Sequence, residues 1–488
     1  MITSAPNNNN LIWAACNTVS FIPFFVSEGI YITTDGGETW YGSDTCQGDP
    51  VQFHGGDPGI AITPSGRLVL TRLGRSPFTG LYAHYSDDMG LTWSPQTALS
   101  TDDLERASLV CDLSGGIYSG NLYAAWVKFA APWPVMFSSS TDGTTWSTPQ
   151  QINNPVARCA GGDLAVGAGG TLYLCWATVS ESSPFYETAG GFARSDDAGQ
   201  NWIITEQAFP MHGITGILPE KQNIRVNGLP AISVDTFKSS PYYGRIYIVS
   251  AEKEIPPAGN DPDILLRWSD DQGTSWSDAI RVNQDTPGNG KTQYFPAIET
   301  DRGGGVNILF YDDRYTSPDS VDVLLARSVD GGNSWKEYPI SNETTKPVPI
   351  GGLGQGYQGD RIDLTIAGNT LWPVWMDNRT GIYQIWTAPV DLDDLSNAVT
   401  HAGLNRFLVS FSPVPFKNNL SLRITGLAPR QDVELEIFMP TGIRCFHSVY
   451  SPVSTTIGQE LFLPGKPGIL FYRIRQANTT VTGKLLRL

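Results

Sequence analysis

A short motif that combines aspartate, glycine and tryptophan recurs six times along the chain. The copies are TTDGGETW from Thr33, SDDMGLTW from Ser86, STDGTTW from Ser140, SDDAGQNW from Ser195, SDDQGTSW from Ser269 and SVDGGNSW from Ser328. Their tryptophans are separated by 53, 53, 56, 74 and 59 residues. Recurrence at such intervals is typical of a chain built from repeated structural units. The fold must therefore accommodate at least six similar units.

Each copy of the motif has the composition of a tight hairpin turn. The aspartate can accept hydrogen bonds from nearby backbone N–H groups, and the glycine can adopt a positive φ. We expect the tryptophan to fill the space beneath its own hairpin. The motif is therefore predicted to be structural, although six aspartates could at first be taken for catalytic or calcium-binding residues.

The six copies resemble the Asp box, or BNR repeat, of sialidase-like β-propellers. The third copy, STDGTTW, is one residue shorter than the others. The resemblance implies an all-β fold in which each unit forms one blade, with the box between its third and fourth strands.

The sequence around the boxes predicts four strands in each unit. In the fifth unit these are LPAISVD, GRIYIVSA, DILLRWS and SWSDAIRV, and they are apolar or alternating runs bounded by Gly, Pro and Asp. A seventh unit, residues 361–390, has three predicted strands and no box. Counting these units predicts a seven-bladed propeller over residues 1–391, closed between its first and last blades. Six blades, as in sialidases, are the alternative.

The sequence changes character after residue 391. Residues 392–406 are predicted to be a linker, and residues 407–488 a small β-sandwich. This last segment resembles the C-terminal sorting domain of type IX secretion in Bacteroidota, through SPVPF from Ser412, PGILFYRI from Pro467 and the terminal TGKLLRL. The resemblance implies recognition by the type IX secretion machinery and an extracellular or outer cell-surface location.

Composition excludes several classes of function. The net charge of -16 would repel nucleic acid phosphates, and no apolar run is long enough to span a membrane. The six cysteines show no zinc-ligand spacing, and nucleotide-binding motifs are absent. We therefore expect no metal, no cofactor and no nucleic acid partner.

The propeller fold places candidate residues on one face. Innermost strands begin there, second strands end there, and the boxes lie on the opposite face. The 74-residue interval adds a predicted long loop, residues 204–225, to the candidate face. Acidic, arginine and tyrosine side chains at one channel mouth would suit an anionic sugar, since arginine binds a carboxylate with two parallel hydrogen bonds.

The resemblance to sialidases implies a tyrosine nucleophile activated by a glutamate, an aspartate acid/base and three arginines on the sugar carboxylate. The candidates are Tyr311 or Tyr357 as nucleophile, Glu252 as its base, Asp57 or Asp163 as acid, and Arg225, Arg314 and Arg379 as the arginines. Arg361 is a further ligand-binding candidate on the same face.

The sequence also departs from the sialidase pattern. The closest counterpart of the early Arg-Ile-Pro motif is Arg75-Ser76-Pro77, in the second unit. The repeated pairs Asp312/Arg314 and Asp377/Arg379 also allow a structural interpretation, as bridges between neighbouring blades. Two functions follow: a non-catalytic module that binds glycans or cell-surface proteins or self-associates, or an exo-sialidase acting on terminal acidic sugars.

Overall fold

The structure is a computed structural model and describes residues 1–21, 24–46, 53–105, 107–154, 157–352, 356–397, 408–412, 416–425, 427, 430–441, 443–453, 456–476 and 479–487. The fold is all-β, as predicted. The chain divides into two compact units, Met1–Asn397 and Ala398–Leu488. Residues 413–415 of the motif SPVPF and most of the predicted linker lie outside the described residues.

Seven four-stranded antiparallel sheets, numbered here in chain order, form most of the described part of the first unit. Sheet 1 contains β1 (Ile2–Ala5), β2 (Asn8–Phe21), β3 (Phe24–Thr33) and β4 (Tyr41–Ser43). Sheet 2 contains β5 (His54–Ile62), β6 (Leu68–Gly74), β7 (Gly80–Ser86) and β8 (Thr97–Ser100). Sheet 3 contains β9 (Ser108–Cys111), β10 (Leu122–Val127), β11 (Val135–Ser140) and β12 (Gln150–Gln151). Sheet 4 contains β13 (Cys159–Val166), β14 (Leu172–Val179), β15 (Glu187–Ser195) and β16 (Ile203–Pro210).

A two-stranded hairpin precedes the last three sheets; its strands are β17 (Gly216–Leu218) and β18 (Ile224–Val226). Sheet 5 contains β19 (Ala231–Val234), β20 (Ile246–Glu252), β21 (Asp263–Ser269) and β22 (Ile280–Arg281). Sheet 6 contains β23 (Gln293–Thr300), β24 (Val306–Asp312), β25 (Asp322–Ser328) and β26 (Lys336–Pro339). Sheet 7 contains β27 (Asp363–Ala367), β28 (Thr370–Asp377), β29 (Gln384–Thr387) and β30 (Val390–Asp391), so it has one strand more than predicted.

The second strands of several sheets are buried on both faces. β10 (LYAAWV), β14 (LYLCWATV) and β24 (VNILFYD) are buried along their whole length. A strand with both faces buried needs a continuous apolar run instead of strict alternation. These sequences therefore predict sheets that are packed between two neighbours, and the structure shows this arrangement.

The sheets follow one another in a closed series. The first strand of each sheet contacts the first strand of the next, and β27 contacts β1. At this closure the backbone N–H of Ile2 donates to Asp363 Oδ2 at 3.1 Å, and Ser4 Oγ donates to the carbonyl of Ile366 at 2.8 Å. Apolar side chains of both sheets also form one buried cluster. Sheets 1 and 7 are therefore neighbours, although they lie at opposite ends of the first unit's sequence.

The six motifs form the predicted turns between third and fourth strands. In each, the leading Ser or Thr hydroxyl accepts the N–H of the glycine at 2.8–2.9 Å. The aspartate accepts a backbone N–H three or four residues later at 2.8–3.1 Å. The glycine φ lies between +74° and +93°.

Trp202 contacts its own turn, where its Nε1 donates to the carbonyl of Gly199 at 3.0 Å. Four of the six box tryptophans also pack against the preceding sheet. Trp93 lies 5.5 Å from Trp13 of sheet 1, Trp202 lies 5.1 Å from Phe137 of sheet 3, and Trp276 lies 5.1 Å from Phe192 of sheet 4, measured between ring centroids. Trp40 of sheet 1 lies 6.2 Å from Trp372 of sheet 7. Each of these four boxes therefore fastens its sheet to the previous one.

The first unit ends in a short helix. α1 (Leu392–Asn397) lies where the linker was predicted, but Leu392 is buried in the apolar cluster of the first unit. The carbonyl of Leu395 accepts a hydrogen bond from Tyr338 at 2.9 Å. No helix within the described ranges is long and apolar enough to cross a membrane.

The second unit contains two antiparallel sheets. One contains β31 (Leu408–Ser412), β32 (Asn419–Thr425) and β35 (Thr456–Phe462). The other contains β33 (Val433–Phe438), β34 (Arg444–Tyr450), β36 (Gly468–Gln476) and β37 (Thr479–Arg487). A single apolar cluster draws side chains from both sheets, including Leu422 and Ile457 from one and Leu435 and Ile474 from the other.

Candidate functional site

A cavity of about 730 Å³ lies in the first unit, at the ends of the sheets opposite to the six motif turns. The antiparallel register explains this separation. In sheet 4, for example, Cys159 at the start of the first strand pairs with Thr178 near the end of the second, whereas Ser195 before the box pairs with Leu172 at the second strand's start. No Asp-box residue lines the cavity. The cavity is therefore the candidate site, and the boxes are structural.

The cavity lining is rich in charged groups. Its acidic residues are Asp57, Glu105, Asp163, Glu187, Asp360 and Asp363, and its basic residues are Arg158, Arg225 and Arg361. Five of the sequence-predicted residues are among the lining residues, namely Asp57, Asp163, Arg225, Tyr357 and Arg361. The other four, Tyr311, Glu252, Arg314 and Arg379, are outside the lining. The predicted catalytic set is therefore not assembled in one place.

Tyr311 is a core residue. It is about 1% exposed, and its hydroxyl donates to the carbonyl of Met376 at 2.6 Å and accepts the Met376 N–H at 3.1 Å. Burial raises the pKa of Tyr311 above its usual value. A buried phenol with a raised pKa is a poor nucleophile, and the hydroxyl instead joins sheets 6 and 7. The proposal of Tyr311 as nucleophile does not fit this position.

Glu252 is also a core residue. Its carboxylate is fully buried and pairs with Arg267 at 2.5 Å. It also accepts hydrogen bonds from the Ser250 hydroxyl at 2.6 Å and the His212 N–H at 3.1 Å. With these partners the carboxylate ties β20 to β21 and to the segment before the hairpin. It does not face the cavity, so it is not placed to activate a tyrosine there.

Arg314 and Arg379 occupy equivalent positions in sheets 6 and 7; carboxylates hold Arg314, and a carboxylate and an amide hold Arg379. Arg314 pairs with Asp312 and Glu337, each at 2.6 Å. Arg379 pairs with Asp377 at 2.6 Å and donates to Asn342 Oδ1 at 2.7 Å. Because Asn342 follows the last strand of sheet 6, the second arginine links neighbouring sheets. The Asp–Arg pairs themselves each lie within one sheet and do not bridge neighbouring sheets as predicted, although the contacts of both arginines favour a structural role. A three-arginine site with Arg225 is not formed among the described residues.

Arg225 and Tyr357 meet in the cavity. Arg225 Nη1 donates to the Tyr357 hydroxyl at 2.8 Å, and its guanidinium lies 4.3 Å from the centre of the Tyr357 ring. Arg225 Nη2 also contacts Asp360 Oδ1 at 3.2 Å. Burial, with a smaller contribution from the Asp360 carboxylate, raises the pKa of Tyr357. The phenol therefore stays protonated at neutral pH, which is unfavourable for nucleophilic attack.

The two candidate acids bind neighbouring sheets together. Asp163 accepts hydrogen bonds from Ser108 Oγ of sheet 3 at 2.8 Å and from the Ile232 N–H of sheet 5 at 3.1 Å. Asp57 exchanges hydrogen bonds with Asn17 of sheet 1 at 2.6 and 2.9 Å. Arg361, the second predicted ligand-binding arginine in the cavity, has its Nη2 against Met1 Sδ.

Arg158 is a cavity residue that the sequence analysis missed. Its guanidinium carbon lies 3.8 Å from the centre of the Trp133 ring and 4.4 Å from that of Phe185. Within the described ranges it forms no ion pair, and its buried Nε has no hydrogen-bond partner. Its position just before the first strand of sheet 4 could have identified Arg158 as a candidate, because residues at the start of first strands are expected on the candidate face.

Glu187 was missed as well. Its buried carboxylate accepts hydrogen bonds from the Thr215 hydroxyl at 2.5 Å, the Thr215 N–H at 3.2 Å and the Gly228 N–H at 2.8 Å. Burial raises the pKa of this carboxyl. Because Thr215 and Gly228 flank the β17–β18 hairpin, Glu187 fixes the base of the segment that carries Arg225 into the cavity.

Glu299 on β23 has a carboxyl group with a raised pKa. Burial, followed by the nearby carboxylates of Asp363 and Asp163, raises its pKa to about 8. The shift favours the protonated form of the Glu299 carboxyl.

Glu28, Cys46 and His54 form a buried group whose possible ligand atoms lie within 4.8 Å of one another. Protein contacts already engage part of it, because His54 Nδ1 lies 2.6 Å from Glu28 Oε2 and the Gly56 N–H donates to Glu28 Oε1 at 3.1 Å. Arg72 is buried nearby, so the protein itself supplies a positive charge beside this group. The expectation that the protein binds no metal stays a prediction.

No family model matches the sequence, and no curated protein matches it. Among solved structures, the chain is similar to a PL25 ulvan lyase bound to -[GlcA(1-4)Rha3S]-, with a TM-score of 0.50 and 10% identity over 81% of this chain and 94% of the lyase. Weaker similarity is found to the intramolecular trans-sialidase from Ruminococcus gnavus, with a TM-score of 0.40 and 14% identity over 70% and 93% of the two chains. A Penicillium chrysogenum α-L-arabinanase has a TM-score of 0.36 and 11% identity over 70% and 92%. The first of these similarities shows a shared fold.

Proposed function

We propose that the first unit is a seven-bladed β-propeller with Asp-box turns and that the second is a β-sandwich. The closed series of sheets supports the blade count, because sheet 7 packs directly on sheet 1 through β27 and β1. The turn hydrogen bonds support the likeness to Asp boxes. In the second unit, the apolar cluster shared by two sheets supports the sandwich.

We further propose that this propeller binds a glycan in its cavity without cleaving it. The cavity supports this function because it gathers arginines, carboxylates and aromatic rings in a volume suited to a saccharide. Sialidase-type cleavage would need a tyrosine held by a glutamate, whereas Tyr357 is held by Arg225 and Glu252 by Arg267. The absence of that pair from the cavity lining is the observation that carries the non-catalytic assignment.

Binding and turnover can be separated by experiment. The purified chain is titrated calorimetrically with a panel of acidic and neutral oligosaccharides, and the same solutions are analysed for released sugars. We expect saturable binding to at least one oligosaccharide with no release. Release of a terminal acidic sugar, or hydrolysis of a fluorogenic sialoside, would establish the exo-sialidase alternative. If no saccharide binds, the cavity is not a glycan site.

We also propose that the second unit directs export by a type IX machinery, which places the propeller outside the cell. The experiment expresses the full chain and a variant ending at residue 397 in a bacterium that has this machinery. We expect the full chain in the medium or on the surface and the shortened chain inside. Equal retention of both chains would contradict the sorting role.

A further inference from the structure

We propose that Arg158 is the oxyanion-binding residue of the cavity, where it takes the carboxylate or sulfate of an acidic saccharide. This inference rests on the proposed glycan binding and adds the class of sugar and the residue that selects it. Three observations support this inference: two aromatic rings position the guanidinium, no carboxylate of the described residues pairs with it, and apolar rings line the cavity beside it.

Two equivalent turns hold the guanidinium. Trp133 lies in the turn between second and third strands of sheet 3, and Phe185 lies in the corresponding turn of sheet 4. Both residues have positive φ, +62° and +67°, and both N–H groups close a tight turn, to the carbonyls of Ala130 and Ser182 respectively. The Arg158 backbone is fixed too, because its carbonyl accepts the Val179 N–H at 2.9 Å. The cation is therefore positioned before any ligand arrives.

The guanidinium lacks the carboxylate that holds other arginines in this unit. Arg225, Arg314 and Arg379 each contact an aspartate side chain. For Arg158, the described residues provide aromatic rings but no ion pair. Aromatic faces attract a guanidinium without using its N–H donors. Although Nε is buried, the two terminal nitrogens thus stay available for two parallel hydrogen bonds to an oxyanion.

The surroundings suit a sugar in particular. Phe129 lies 5.2 Å from Trp133, measured between ring centroids, and both Phe129 and Phe185 line the cavity beside Arg158. Apolar faces next to a charged donor are the usual composition of a site for a ligand with apolar and polar parts. The neighbouring carboxylate of Glu105 accepts the Gly161 N–H at 2.8 Å, so protein donors partly satisfy it.

The test compares three probes: a glucuronate-containing trisaccharide, its glucose-containing counterpart and a sulfated counterpart. Calorimetric titration of the wild type is expected to favour the charged probes, and their affinity should fall as salt concentration rises. Arg158→Gln should weaken binding of the charged probe at least tenfold, while the affinity for the neutral probe stays within twofold. Arg158→Lys should recover only part of the loss, because lysine lacks the planar donor set. The stronger of the two charged probes identifies the oxyanion.

Arg67→Gln is the matched control. Arg67 also lies over an aromatic ring, 4.3 Å from the centre of Tyr85, but it pairs with Asp87 and is outside the cavity lining. This variant should bind all probes like the wild type. If the wild type binds charged and neutral probes equally, or Arg158→Gln keeps the preference, the role of Arg158 is overturned and glycan binding stands. If the wild type binds none, the proposed function itself fails.

Discussion

The glycine of each Asp box meets two requirements at once. It adopts a positive φ, and it leaves room for a side chain of the preceding sheet. A Cβ at Gly273 would lie 1.9 Å from the Phe192 ring, and one at Gly37 would lie 2.1 Å from the Trp372 ring. The sequence predicted the first requirement from the turn composition. It could not show the second, because the opposing ring comes from another sheet.

We expect Gly273→Ala to destabilise the protein by about 2–4 kcal/mol, since the positive φ costs about 1 kcal/mol and the collision with Phe192 adds about 1–3 kcal/mol. Gly381→Ala is the control, because Gly381 has φ +91° with no atom within 4 Å of the added Cβ. The Gly381→Ala variant should lose only the stability that corresponds to the cost of a positive φ. Chemical denaturation measures both free energies of unfolding, and equal losses would show that the close approach does not matter.

The lowered pKa values of two box aspartates predict that the stability of the protein depends on pH. The Thr39 hydroxyl and the Ser275 hydroxyl donate to Asp35 and Asp271, and each lowers the pKa of its carboxyl to about 2, from a usual 3.8. A lowered folded-state pKa gives stability that is present above about pH 4 and lost as the pH falls towards 2. Asp271→Asn should therefore show a weaker fall in melting temperature across this range. An unchanged pH profile would contradict the contribution of Asp271.

The site was harder to predict than the sheets because its residues depend on partners that are distant in sequence. Tyr311 ends a second strand, which places it near the candidate face, yet its hydroxyl binds the backbone of Met376. The position of Arg158 before a first strand did not reveal that its contacts are Trp133 and Phe185, which lie in turns of two different sheets. Strand patterns and turns are local properties of a sequence, whereas pairing across sheets is not.

The β17–β18 hairpin is the main insertion between sheets, and it carries Arg225 into the cavity. The sequence placed a long loop at residues 204–225, but part of this segment is β16, the last strand of sheet 4. The hairpin is anchored away from the cavity by Lys221, which is fully buried and contacts Asp313 at 2.5 Å. Lys221 also donates to the carbonyl of Pro318 at 2.7 Å.

We expect Lys221→Met to lower the free energy of unfolding by about 3–5 kcal/mol, because it leaves the Asp313 carboxylate buried without its cation. Lys346→Met is the control, since the Lys346–Asp319 pair is largely exposed and such pairs contribute about 0–1 kcal/mol. Denaturant titration measures both. Similar small losses in the two variants would show that Lys221 does not anchor the hairpin.

Closure of the series of sheets gives the first unit its cooperativity. Each sheet buries both faces against neighbours, so an end sheet without a partner would expose a whole apolar face. Sheets 1 and 7 avoid this by packing on each other, with Trp372 between Gly37 and Trp40. All 14 tryptophans precede residue 398, so tryptophan fluorescence reports on the first unit and not on the second.

Removing Trp372 should therefore weaken the whole first unit. The side chain is 4% exposed, and truncation of a buried tryptophan costs about 3–5 kcal/mol. We expect Trp372→Ala to shift the fluorescence-detected unfolding midpoint downwards while the transition stays single, because opening at the closure exposes the faces of both sheets. Tyr315→Ala is the control, since Tyr315 is 77% exposed. A separate early transition in Trp372→Ala would mean that sheets 1 and 7 unfold independently of the others, and a midpoint equal to that of the control would mean that the closure contributes little.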